Sequence, residues 1–190
     1  MTDQAHEGTT REIGEHEDRF VAHVAGLDAG AKATLRRSLA FAPGTWPGAF
    51  PYVEPWVSKS GRWERAVTYL VAGLQAHSRA EQAKGNLGEA ARRLSQATES
   101  GSVEARFLAL LDADVEQVPH RLRQMIALMS SHGIAPDWAA LRRDLNRWST
   151  PNRTVQQRWA RSFYGPDDAP ERADRTRTAN AGDDSARQED

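Results

Sequence analysis

The sequence predicts an all-α protein, a helical bundle of about seven to nine helices with one irregular segment rich in proline, glycine and aromatic residues. Apolar residues recur at the spacing of one helix face in segment after segment. No segment alternates apolar and polar residues with the period of two that is typical of a half-buried strand. Prolines and glycines divide the pattern into stretches of ordinary helix length.

The N-terminal half predicts three helices around the irregular segment. The first carries Phe20, Val24 and Leu27 at positions i, i+4 and i+7. Asp28 can cap the second, whose apolar face holds Leu35 and Leu39. Residues 42–61 contain too many breakers for a long helix, so we expect a loop or short helical turns, with four aromatic residues packed against the core: Trp46, Phe50, Tyr52 and Trp56. The third helix has Trp63, Val67, Leu70 and Leu74 at helical spacing, and the polar residues 77–86 are expected to form a mobile connection.

The C-terminal half predicts five more helices. Two of them meet at Ser100-Gly101 and share the apolar residues Leu87, Leu94, Val103, Phe107, Leu110 and Leu111. The next has one apolar stripe from Val118 to Met129 and ends at Gly133. Asp137 follows Pro136 as an N-cap or first-turn acid for a helix that carries Trp138, Leu141, Leu145 and Trp148 and ends before Pro151. The last helix carries Val155, Trp159 and Phe163 and ends at Gly165-Pro166.

The charge distribution divides the chain into three parts, although the net charge is only −1. Residues 1–18 carry one arginine and six acidic residues, and residues 166–190 carry four arginines and eight acidic residues. The intervening residues 19–165 carry 20 basic and 12 acidic residues, a net charge of +8. We therefore predict a helical domain at 19–165 between two acidic tails, 1–18 and 166–190, which lack the apolar residues needed to fold. The tails either keep the protein soluble or shield the basic domain from non-specific nucleic acid.

Enzymatic and metal-dependent functions find no support in the sequence, and we predict a protein that is not an enzyme and has no cofactor. It contains no cysteine, no nucleotide-binding glycine motif and no pair of histidines at the i, i+4 spacing of a helical zinc site. Asp112 and Asp114 are two residues apart at a helix end, where their carboxylates diverge. Neither an export signal nor a stretch long enough to span a membrane is present, so the expected location is the cytoplasm.

Arginine is the residue type that indicates a binding function. Three doublets lie on three separate predicted helices, at Arg36-Arg37, Arg92-Arg93 and Arg142-Arg143. Arginine presents a planar set of donors that matches phosphate, although such helix faces are often only solvated. From the helical positions we predict a nucleic-acid-binding surface composed of Lys32, Arg36, Arg37, Arg142, Arg143, Arg147, Arg158 and Arg161. If these residues do not bind nucleic acid, the next candidates are Arg92, Arg93, Arg121 and Arg123.

The order of several motifs resembles the CasB family, the small subunit of the type I-E CRISPR surveillance complex, Cascade. The opening run is Phe20-x-x-x-Val24-x-x-Leu27-Asp28-x-Gly30-x-x-Ala33-x-Leu35-Arg36-Arg37. Similar runs follow at Arg106-Phe107-x-x-Leu110-Leu111, at Leu122-Arg123 and at Ile134-x-x-Asp137-Trp138-x-x-Leu141-x-x-Asp144-Leu145-x-x-Trp148. The pattern ends with Val155-Gln156-x-x-Trp159-Ala160-x-x-Phe163-Tyr164, so the resemblance covers residues 19–164 and excludes both tails.

The resemblance implies an all-α subunit present in two copies, packed against the backbone subunits that bind the guide RNA. It also implies that the subunit helps to hold the R-loop open, with the displaced DNA strand near its surface. The implied partners are the other Cascade subunits, a second copy of the chain, and the guide RNA and target DNA. Base pairing reads the sequence in such complexes, so this subunit needs no base-reading motif.

Two alternative functions remain open at this point. One is a purely structural scaffold whose arginines contact partner proteins. The other is a free-standing helical nucleic-acid-binding protein, such as a regulator, although no clear helix-turn-helix is present.

Overall fold

The computed structural model describes residues 3–57, 60–80, 82, 84–98 and 101–165. They form nine α-helices: α1 (Asp3–Gly26), α2 (Ala29–Ser38), α3 (Phe50–Val53), α4 (Arg62–His77), α5 (Leu87–Thr98), α6 (Gly101–Leu111), α7 (Val118–Ser131), α8 (Trp138–Asn146) and α9 (Thr154–Tyr164). Short 3₁₀ turns lie at Pro47–Ala49, Glu54–Trp56 and Pro151–Arg153. This part of the chain contains no strand and has only an isolated bridge between Gln82 and Ala135. The predicted all-α bundle is confirmed.

Helices α1, α2, α4 and α8 pack together as one side of the bundle. Asp28 caps α2 as predicted, because its side chain accepts a hydrogen bond from the Ala31 amide at 2.8 Å. Asp137 does the same for α8, with a distance of 2.9 Å to the Ala140 amide. Helix α4 forms the centre of this side, and nine of its residues are buried.

The boundary predicted for the N-terminal tail is wrong. Helix α1 begins at Asp3, and Glu17, which lies within the predicted N-terminal tail, is only 4% exposed. The composition of residues 1–18 predicts that Glu17 is a solvated acidic residue. Its buried partner, Arg142, lies 125 residues further along the chain and cannot be identified from the local sequence. The C-terminal tail, 166–190, lies outside the described residues.

The irregular segment 42–61 forms short helical turns, as expected. They consist of α3 and the 3₁₀ turns at Pro47–Ala49 and Glu54–Trp56. The Trp56 ring contacts Phe20 of α1 with ring centroids 5.6 Å apart, and Phe50 contacts Tyr69 of α4 at 6.0 Å. These aromatic contacts attach the segment to the N-terminal side of the bundle.

Helices α5, α6, α7 and α9 form the other side. Phe107 of α6 stacks on Phe163 of α9, with ring centroids 4.5 Å apart. Trp148, just after α8, contacts Trp159 of α9 at 5.2 Å and so connects the two sides. One continuous cluster of buried apolar residues runs through both sides, from Phe20 to Phe163. None of the described helices is long and apolar enough to cross a membrane.

Candidate nucleic-acid interface

Arg142 is a buried structural residue, and its prediction as a nucleic-acid contact is wrong. Its side chain is 3% exposed. The Nη1 group donates to Glu17 Oε2 of α1 at 2.5 Å, and Nε donates to Thr68 Oγ1 of α4 at 3.1 Å. The guanidinium also lies over the Phe20 ring, 4.6 Å from its centroid. Position 142 is four residues after Trp138 and three before Leu145, so helical spacing places it on the apolar face of α8.

His16 borders this buried ion pair. Its Nδ1 atom lies 3.5 Å from Arg142 Nη1, and its ring meets the edge of Trp56 with centroids 5.6 Å apart. Burial lowers the pKa of His16, and the positive charge of Arg142 lowers it further. The imidazole is therefore neutral at neutral pH and does not add a second positive charge beside Arg142.

Three of the predicted cationic residues form a cluster on α2, which we call the α2 cluster: Lys32, Arg36 and Arg37. Arg36 and Arg37 are exposed in the last turn of the helix, and Lys32 is half-buried. Lys32 Nζ donates to the Ala25 carbonyl near the end of α1 at 2.6 Å, and Arg36 Nη1 donates to the Ala76 carbonyl near the end of α4 at 3.3 Å. Cations are stabilised at these positions because helix C-termini carry partial negative charge.

No acidic residue opposes the α2 cluster within its own stretch of chain. Residues 29–53 contain Lys32, Arg36 and Arg37 and no aspartate or glutamate. This stretch therefore carries a local excess of positive charge, which the division of the chain into two tails and one basic domain did not distinguish. Counting acidic residues within each segment, and not only in the two tails, would have found it.

Arg143 and Arg147 lie at the other end of the N-terminal side, and we call them the α8 cluster. Arg143 is half-buried, and Arg147 is exposed at the C-terminal cap of α8. The Trp63 indole at the start of α4 donates to the Leu145 carbonyl at 2.7 Å, so α8 ends where α4 begins. Arg62, exposed at the first position of α4, is at the same end and was missed, since only tertiary packing brings it there.

The two predicted residues on α9 differ in their surroundings. Arg158 forms an ion pair with Asp144 of α8, and its side chain is 48% exposed. The same carboxylate accepts from the Trp159 indole at 2.6 Å, so Arg158 is held in a connection between α8 and α9. Arg161 is exposed, with Nη2 at 3.4 Å from Gln157 Oε1.

The predicted residues do not converge on one site. The α2 cluster reaches the end of α4 at Ala76, whereas the α8 cluster lies beside Trp63 near its start. Thirteen helical residues separate these positions, about 20 Å at the usual rise per residue. A DNA strand would have to extend over about 20 Å to contact both clusters.

Arg123 and Arg93, both reserve candidates, make structural contacts. Burial lowers the pKa of Arg123, which is half-buried and donates to the Leu39 carbonyl and, at 3.0 Å, to the Pro119 carbonyl. Arg93 donates to the Lys84 carbonyl at 3.1 Å and so attaches α5 to the preceding connection. Arg123 therefore fixes α7 against the end of α2 and is not a free surface cation.

Asp112 and Asp114 each have their own contacts in the structure. No group of three histidine or acidic residues in the described part of the chain could hold a metal ion. Asp112 lies 3.7 Å from Arg153, and Asp114 accepts from the Gln117 amide at 2.8 Å. The two carboxylates therefore have separate structural partners.

Comparison with known proteins gives matches to the helical part of the chain. Residues 31–164 match the family model described as CRISPR-associated protein Cse2. A curated CRISPR-associated protein Cse2 from Thermus thermophilus is 51% identical over 139 residues, which is 71% of this chain and 79% of that protein.

Solved structures show the same similarity. The crystal structure of CasB from Thermus thermophilus has 44% identity and a TM-score of 0.69, with coverage of 79% of this chain and 98% of that one. A chain in a structure described as a CRISPR RNA-guided surveillance complex has 25% identity and a TM-score of 0.71, with coverage of 89% and 99%. The family match begins within α2 and ends at the last residue of α9, so it spans the described bundle apart from α1.

Proposed function

This chain belongs to the Cse2 family, which includes the CasB proteins, and from this premise we propose that it is a non-catalytic small subunit of a type I-E CRISPR Cascade complex. The chain covers almost the whole of its counterpart in an RNA-guided surveillance complex, which supports a role as a subunit of such an assembly. Its partners are the guide-RNA backbone subunits, along which it packs, and a second copy of itself.

Within the complex, the chain stabilises the R-loop by binding the displaced DNA strand through its basic surface. Forming an R-loop is a nearly balanced strand exchange, so a few phosphate contacts to the displaced strand can shift the balance. The observation that carries this proposal is the α2 cluster, whose exposed Arg36 and Arg37 stand in a stretch without acidic residues. The α8 cluster supplies a second group of cations about 20 Å away.

Charge reversal of one exposed arginine in each cluster tests this function. Arg37→Glu and Arg147→Glu, singly and together, are to be co-expressed with the genes that neighbour this one. Both residues are exposed, so we expect the variants to fold and to co-elute with the guide RNA and the other subunits. The lifetime of the R-loop should fall. Each lost phosphate contact should also reduce the slope of log binding constant against log salt concentration by about 0.7 for single-stranded DNA.

Arg106→Glu is the matched control, because Arg106 is an exposed arginine on α6, outside both clusters. If Arg37→Glu and Arg147→Glu fail to co-elute while the control assembles, the arginines contact proteins and the chain is a scaffold. If assembly and R-loop lifetime are both unchanged, the displaced strand does not pass over these clusters. If the unaltered chain does not co-elute with any subunit, the result favours the alternative that it is a free-standing nucleic-acid-binding protein.

A further inference from the structure

An exposed aromatic ring lies next to the α2 cluster and has no role in the core. Phe41 is 41% exposed, and Leu108 and Tyr164 are the other large apolar side chains that are exposed in the described part of the chain. Phe41 stacks on Trp46 with ring centroids 4.5 Å apart and an angle of 18° between the ring planes. Trp46 itself is partly buried and packs against the core. The pair therefore presents an exposed ring that is stacked on a second, partly buried ring.

The backbone under this pair is held rigidly. Arg65 Nη1 donates to the Gly44 carbonyl at 2.9 Å, and Arg123 donates to the Leu39 carbonyl. Gly44 has a φ angle of +81°, and a Cβ atom at this position would lie 2.5 Å from Arg65 Nη1, so only glycine fits here without strain. A rigid platform loses little conformational freedom when a ligand stacks on it.

The nearest charged residue before Phe41 in the chain is Arg37. Helical hydrogen bonds continue past the end of α2, from the Ala40 amide to the Arg37 carbonyl and from the Phe41 amide to the Ser38 carbonyl, both at 3.1 Å. This keeps Arg37 within one turn of Phe41. Tyr164 differs, because its hydroxyl donates to an acidic side chain, Glu104, at 2.8 Å. Phe41 thus combines an exposed aromatic ring with a nearby arginine, in a stretch of chain, residues 29–53, that contains no acidic residue.

We propose that the Phe41–Trp46 pair is a stacking platform for an unpaired base of single-stranded DNA, with Arg36 and Arg37 binding the adjacent phosphates. Exposed aromatic rings beside cationic side chains are the usual means by which proteins bind single strands without reading their sequence. The cavity beneath Phe41 has a volume of only 10 Å³, room for about one water molecule, so the base lies on the outer ring face. The inference rests on the proposed function and adds to it a specific site for a base.

The test measures separately how much base stacking on Phe41 and phosphate binding by Arg37 contribute to DNA affinity. Binding of the full chain to a fluorescein-labelled oligothymidine is measured by anisotropy across a range of salt concentrations. Phe41→Ala and Phe41→Leu should each weaken binding about tenfold and leave the salt dependence unchanged, because no phosphate contact is lost. Phe41→Tyr, which keeps the ring, should bind like the unaltered chain. Arg37→Ala should reduce the slope of log binding constant against log salt concentration by about 0.7, because one phosphate contact is lost.

Two controls separate the possible outcomes. Leu108→Ala removes an exposed apolar side chain on α6 and should have no effect. An abasic oligonucleotide of equal length should bind the unaltered chain and Phe41→Ala equally well, since it has no base to stack. Weakening by Phe41→Leu together with retention by Phe41→Tyr supports the platform.

Full affinity of Phe41→Leu or Phe41→Ala overturns the platform. If Arg37→Ala still reduces the salt dependence in that case, the proposed function stands and only the platform fails. If none of the variants changes binding, the proposed function fails as well. Loss of co-elution with the other subunits at unchanged DNA affinity would make Phe41 a protein contact and would also overturn the platform.

Discussion

Arg142 lies in α8 and Arg147 is the C-terminal cap of that helix, five residues later, and the structure gives them opposite environments. Arg142 is buried against Glu17, Thr68 and Phe20, whereas Arg147 is exposed at the helix end. A five-residue step rotates a side chain by about 140° around the helix axis, from the apolar face to the solvent. The doublet Arg142-Arg143 therefore does not by itself indicate a basic surface, because Arg142 is part of the core.

Glu17→Gln tests whether this buried ion pair holds α1 against α8. The substitution keeps the size of the side chain but leaves the Arg142 charge buried without a counter-charge. We expect the free energy of unfolding to fall by about 3 kcal/mol or more. Urea unfolding followed by circular dichroism gives the measurement.

The double variant Glu17→Gln/Arg142→Met is the control for this prediction. It removes both charges, so most of the lost stability should return. An unfolding midpoint of Glu17→Gln equal to that of the unaltered chain would show that the pair does not hold α1 in place.

Among the helices, α5 and α9 make a close backbone approach. A Cβ atom on Gly88 would lie 2.1 Å from the Trp159 carbonyl oxygen, which belongs to the backbone of α9 and cannot move like a flexible side chain. Leu87, Ala90, Ala91 and Leu94 of α5 are buried as well. The contact therefore depends on a glycine at position 88.

Gly88→Ala should destabilise the protein by about 1–3 kcal/mol, because the added methyl group forces α5 and α9 apart. Helix propensity acts in the opposite direction, since alanine is favoured over glycine by about 1 kcal/mol in a helix interior. Gly14→Ala is the matched control within α1, where the added Cβ has no neighbour within 4 Å apart from the adjacent residues and the backbone of its own helix. Thermal unfolding should show a lower midpoint for Gly88→Ala and an equal or higher midpoint for Gly14→Ala. The reverse order would contradict the close packing of α5 on α9.

For the whole molecule, the charge distribution predicts that the acidic C-terminal segment competes with DNA. Residues 166–190 carry a net charge of −4 and follow directly after α9 and Gly165, while residues 19–165 carry +8. Fixed negative charge near a basic surface lowers its attraction for phosphate, most strongly at low salt.

Removal of residues 166–190 should therefore tighten non-specific binding to single-stranded DNA, with the largest effect at low ionic strength. A second variant replaces the eight acidic residues of this segment with asparagine and glutamine and keeps its length. If charge is the cause, both variants should bind more tightly by similar factors in a titration at low salt. Unchanged affinity in both would leave the segment with a role in solubility only.

The sequence alone determined the fold class and most of the helix boundaries. Helical periodicity is a local property, and so are the capping aspartates Asp28 and Asp137 and the breakers in 42–61, so each could be read without knowledge of the partner helix. The order of motifs also indicated the family that the comparisons show.

Only the tertiary structure decided which charges are available on the surface. Glu17 and Arg142 are 125 residues apart in sequence, and their pairing removes one predicted site residue and part of one predicted tail. The stacking of Phe41 on Trp46, with Arg123 and Arg65 beneath the same turn, likewise depends on α4 and α7. Helical periodicity places a side chain on a face of its own helix, but burial and pairing depend on what the fold packs against that face.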